Sequence, residues 1–70
     1  MDIALIKSIG RGDWIFVYDG LKTLTIRVTE KLTDRIIGVA YSEKFVLHKA
    51  EYYRITGKMT DWWYNQVKFP

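Results

Sequence analysis

Residues 13–28 read DWIFVYDGLKTLTIRV, two runs of β-branched and aromatic residues with Asp19-Gly20 between them. An Asp-Gly pair in that setting predicts a β-hairpin with a two-residue turn, because both turn positions require positive φ and these residue types tolerate it. In that register Tyr18 faces Leu21, Ile15 faces Leu24 and Trp14 faces Thr25. Side-chain alternation then sorts the residues onto two faces. Ile15, Val17, Leu24, Ile26 and Val28 form an aliphatic core face, and Trp14, Phe16, Tyr18, Leu21, Thr23, Thr25 and Arg27 form the other. The second face is either half of a further core layer or a flat binding surface. A small chain needs its large rings for a core, which argues for burying Trp14 and Phe16, while Tyr18 is expected at the surface.

Size sharpens that choice, since a chain of 70 residues buries only about 60% of its unfolded surface. Its 49% hydrophobic and 16% aromatic content excludes a disordered tail. There is no cysteine, hence no disulfide framework and no thiolate metal site. The opening MDIALIKSIG carries an acid at its second position and an apolar run interrupted by Lys7. Neither a signal peptide nor a membrane span is expected there, and the expected location is cytoplasmic. Eleven Lys and Arg against eight Asp and Glu give +3 and a pI of about 9.3. Such a mild excess fits an anionic partner without demanding one.

Along the chain, residues 2–9 alternate loosely and predict an extended first strand, broken by Gly10-Arg11-Gly12. Arg11-Gly12-Asp13 resembles the integrin-binding tripeptide, but in a cysteine-free chain it reads as a turn. After the hairpin, residues 29–35 are polar and predict a loop or a single helical turn. Residues 35–41 (RIIGVAY) predict a strand in which Gly38 marks a bulge or a sharp bend. Ser42-Glu43-Lys44 turns the chain into a short strand over residues 45–48, residues 49–53 predict a 3₁₀ turn, and residues 54–56 a last brief strand. Residues 60–68 predict a short C-terminal helix capped by Thr60 or Asp61, with Trp63 and Val67 four apart; the same residues also alternate as a strand. The whole, residues 1–70, is therefore one small all-β domain: five to six short strands in an antiparallel barrel or bent sheet, closed by a short C-terminal helix. The pattern over residues 12–56, carried by DWIFVYDG, RIIGVAY, FVLH and KAEYYRIT, resembles an SH3-like barrel. Proline-rich ligand binding is not carried over with it. Barrels of this type serve nucleic-acid, protein and ribosome contacts alike, so the resemblance implies a fold and no particular ligand.

No chemistry is expected. His48 is the only histidine, and no cysteine or suitably placed serine offers it a nucleophile. The aspartates sit beside turns and helix starts, Gly10 and Gly12 lack the Gly-Lys-Ser/Thr of a phosphate loop, and no metal or cofactor is assigned. What remains is binding. An aromatic and basic sheet face suits single-stranded nucleic acid, where each stacked base contributes about 1–3 kcal/mol; Arg11, Tyr18, Lys22, Arg27 and Arg35 are its candidate contacts. The alternative is a protein interface, to another protein or to a second copy, built from Tyr52, Tyr53, Arg54, Trp62, Trp63 and Tyr64. In size and aromatic content the chain resembles the small inhibitor proteins by which phages occlude host enzymes. Neither reading involves a membrane or a small-molecule substrate.

Overall fold

A computed structural model of the chain describes residues 3–59. In order they form α1 (Ile3–Ser8), β1 (Trp14–Tyr18), β2 (Thr23–Lys31), β3 (Arg35–Ala40), β4 (Glu43–His48), a 3₁₀ turn (Lys49–Arg54) and β5 (Ile55–Met59). The strands make one antiparallel sheet in the order β4-β3-β2-β1-β5. The fold is mostly β, as expected, but among the described residues β4 and β5 do not pair with each other, so the sheet that these residues form does not close into a barrel. Among the described residues no helix is long and apolar enough to cross a membrane.

The hairpin forms, with its reversal one residue later than expected. Trp14 pairs with Arg27, Ile15 with Ile26, Phe16 with Thr25, Val17 with Leu24 and Tyr18 with Thr23, so the turn centres on Gly20-Leu21. Asp19 explains the shift. Its Oδ1 accepts the backbone N–H groups of Leu21 and Lys22, each at 2.8 Å, and its own N–H donates to the Lys22 carbonyl at 3.0 Å. Asp19 therefore anchors the turn from outside it, and Gly20 takes the positive φ of 101°. Moving the centre by one residue moves every partner by two, which preserves the faces because side-chain period is two. Ile15, Val17, Leu24, Ile26 and Val28 are all buried. Trp14 and Phe16 are half-buried and Tyr18 is exposed.

The expected first strand is instead a helix. Strand-like alternation over residues 2–9 coexists with a helical spacing, in which Leu5, Ile6 and Ile9 fall on one side. Ile9 is buried and Leu5 and Ile6 pack against the core. Six residues are too few to hold a helix alone, and the sheet supplies what is missing. Lys31 of β2 donates its ammonium to the Ile6 carbonyl at 2.7 Å, and Lys58 of β5 donates to the Ser8 carbonyl at 2.9 Å, satisfying the last acceptors of α1.

Residues 29–31, expected in a loop, continue β2 past a bulge: Val28 pairs with Gly38 and Glu30 with Ile37, leaving Thr29 extra. The irregularity expected at Gly38 thus sits in its partner strand. Gly38 is there for close approach, since a Cβ would meet Ile26 Cγ2 and would lie 2.7 Å from the Arg27 carbonyl oxygen. The next reversal is at Tyr41-Ser42, with Ala40 paired to Glu43. Both residues adopt positive φ, 53° and 65°. The 3₁₀ turn occurs where expected, while β5 overlaps the expected strand over residues 54–56 but runs on through Gly57 to Met59; Tyr52 and Ile55 complete the core with Ile36, Ala40 and Leu47. The expected C-terminal helix over residues 60–68 lies outside the described residues.

Candidate functional site

Crossing from β4 back to β5 brings the 3₁₀ turn against the tip of the first hairpin. An open cleft of ≈ 380 Å³ lies between them, lined by Tyr18, Asp19, Gly20, Tyr53 and Arg54. Each wall has a local cause. Residues in a 3₁₀ turn step about a third of a revolution, so adjacent tyrosines diverge: Tyr52 enters the core and Tyr53 stands 71% exposed. Tyr18 ends β1 on the outer face, 47% exposed, with its hydroxyl donating to the Gly20 carbonyl at 3.0 Å.

Arg54 ties the walls together. Its Nε donates to the Tyr18 carbonyl at 2.9 Å and one terminal nitrogen donates to Glu51 Oε2 at 3.2 Å. The other oxygen of Glu51 accepts the His48 N–H at 3.1 Å, so one carboxylate holds both ends of the 3₁₀ turn. The relay His48–Glu51–Arg54–Tyr18 fixes the spacing of the two tyrosines. On the opposite rim, the N–H groups of Lys22 and then Leu21 hold the Asp19 carboxyl below the usual aspartate range. That rim stays anionic at neutral pH.

The structure brings together Tyr18 from the candidate nucleic-acid contacts and Tyr53 and Arg54 from the candidate protein interface, with Lys22 on the same turn. It separates the rest. Arg11 lies exposed in the turn before β1, and Arg27 lies exposed at the far end of the hairpin from Lys22, its guanidinium 5.5 Å from the Trp14 ring centroid. Arg35 begins β3 and is bonded to Asp34 at 3.0 Å. Tyr52 is buried beneath the 3₁₀ turn, and Trp62, Trp63 and Tyr64 lie outside the described residues. Sequence reasoning saw Asp19 and Gly20 only as turn residues. The available signal was Tyr18 directly before that turn.

The Arg11-Gly12-Asp13 turn uses its carboxylate internally: Asp13 Oδ2 accepts the Gly10 N–H at 2.8 Å and lies 3.4 Å from the Lys58 ammonium. His48 is exposed on β4 opposite Arg35. Among the described residues no three metal-ligating side chains gather. No protein-family model, curated protein or solved structure matches the chain.

Proposed function

We propose that this chain is a non-enzymatic binding module that takes an extended segment of another protein into the cleft between Tyr18 and Tyr53. The observation that carries the reading is the pair of exposed tyrosine rings held across a cleft by one arginine. Flat, amphipathic rings contribute contact area with little side-chain entropy to lose, and the Tyr53 hydroxyl is placed to donate to a carbonyl that an extended ligand leaves unpaired. A polyproline-type segment suits such walls, because it is already extended before it binds. The strand order, with a 3₁₀ turn leading into the last strand, supports an SH3-like arrangement as the finer description of the fold; that arrangement alone assigns no ligand.

The nucleic-acid reading draws support from Arg27 over Trp14, and weakens with the separation of its other contacts. One pair of titrations discriminates. Decaproline added to the labelled chain is expected to move the amide resonances of Tyr18, Gly20, Tyr53 and Arg54, and Tyr53→Ala to weaken that binding about tenfold, the scale of a hot-spot ring. An oligo-dT of similar length is expected to leave those resonances in place even at low salt. Binding of oligo-dT that falls steeply with salt, with no response to decaproline, would replace the protein reading with the nucleic-acid one.

A further inference from the structure

The outer face of the sheet carries a pattern distinct from the cleft. Backbone pairing sets Arg27, Val39 and Lys44 side by side across β2, β3 and β4, and sets Glu30, Ile37 and Val46 side by side in the neighbouring row. The bulge at Thr29 makes this possible by returning Glu30 to the outer face; without it, Glu30 would point to the core side. Arg27, Glu30 and Lys44 are exposed, and between them Val39 and Val46 remain 38% and 39% exposed. We infer that this face is a self-complementary surface on which a second copy of the chain packs, outer face to outer face.

The charge pattern selects the occupant. A nucleic-acid surface needs one sign of charge, and here Glu30 stands one row from Arg27, where it repels a phosphate held by that arginine. A face with a cation row and an acid row around exposed aliphatics complements its own image. A two-fold axis perpendicular to the strands and midway between the rows brings each Arg27 over Glu30 of the second copy, and each Val39 over Ile37. Lys44 then lays its aliphatic stem along Val46 of the second copy. The rows are two residues apart on β3 and β4, about 6.6 Å, so one axis superimposes both without distortion. Strands related in this way run nearly aligned, which is the ordinary geometry of stacked sheets. Every contact occurs twice, as in any isologous dimer. Arg27 is already steered for the role by its place over the Trp14 ring.

Sedimentation velocity on the full chain, from micromolar to near-millimolar concentration, tests the arrangement through a charge swap. The native chain is expected to show a concentration-dependent dimer. Arg27→Glu and Glu30→Arg, each checked for native far-UV circular dichroism, are expected to weaken the dimer about tenfold apiece, because each replaces two attractions by two repulsions. The double variant restores opposite charges and is expected to recover native affinity within about threefold. Val39→Lys abolishes the dimer in the same assay. A strict monomer at all concentrations overturns the inference, as does a dimer indifferent to Arg27→Glu and Val39→Lys. Failure of the double variant to recover overturns the two-fold arrangement. Salt-sensitive binding of oligo-dT that is lost in Arg27→Glu, with no dimer, assigns the face to nucleic acid instead. The decaproline titration at the cleft is read separately, so either proposal can fail without the other.

Discussion

At the scale of single residues, three sites carry unusual demands. Gly38 lies where β3 crosses so close to β2 that a methyl group would meet the Ile26 side chain and the Arg27 carbonyl oxygen. Backbone cannot yield as a side chain can, so Gly38→Ala is expected to destabilise the fold by about 1–3 kcal/mol in a urea titration. Tyr41 and Ser42 present the opposite case, two side-chain-bearing residues in left-handed conformation at a tight turn, with the Tyr41 ring 81% exposed. Tyr41→Asn with Ser42→Gly should relieve about 1 kcal/mol of that strain and raise the melting temperature by roughly 4–8 °C. A fall in melting temperature would show that the Tyr41 ring contributes packing that outweighs the strain. Asp19, third, has its carboxyl held below the ordinary aspartate value by the Lys22 and Leu21 N–H groups. Its contribution to stability is therefore complete above about pH 4 and is lost as pH falls through the lower folded-state value. Leu21 and Lys22 amide shifts should follow that titration, and Asp19→Asn should abolish the pH dependence.

At the scale of elements, the hairpin and α1 show why one sequence pattern was decisive and another was not. Alternation in β1 and β2 is strict over several residues, and an error of one in the turn leaves each face intact because partners slip by two. In residues 3–8 the apolar positions satisfy both periods, so local pattern does not choose between strand and helix. The choice is made by Lys31 and Lys58, distant in sequence, whose ammonium groups close the carbonyl end of the helix. Lys31→Met with Lys58→Met is accordingly expected to unfold α1 locally, at a cost of about 0.5–1.5 kcal/mol per lost bond. Hydrogen exchange at Lys7 through Ile9 should accelerate while exchange in β1 and β2 stays slow. Unchanged exchange at those amides would assign the helix to the packing of Leu5, Ile6 and Ile9 alone.

At the scale of the whole molecule, the 3₁₀ turn links core to cleft: Tyr52 completes the core while Tyr53 and Arg54 line the cleft. Burial first, and then the charge of Asp34, raise the Tyr52 phenol above its usual range. The neutral form is the one that folds, so this contribution is present below about pH 10 and is lost as pH rises through the folded-state value. Tyr52→Phe should flatten the alkaline end of the stability profile measured by thermal melts. The β-rich class, the two faces of the hairpin, the 3₁₀ turn and the closing strand were legible in the residue order, because period, turn chemistry and β-branching act between near neighbours. The cleft and the paired rows of the outer face were not. Tyr18 and Arg54 are 36 residues apart and meet through one hydrogen bond, and Glu30 joins Arg27 on one face only because a bulge at Thr29 inverts the alternation. Those placements depend on how strands pair and bend, and neither the long-range contact of Tyr18 with Arg54 nor the bulge at Thr29 leaves a mark in local alternation.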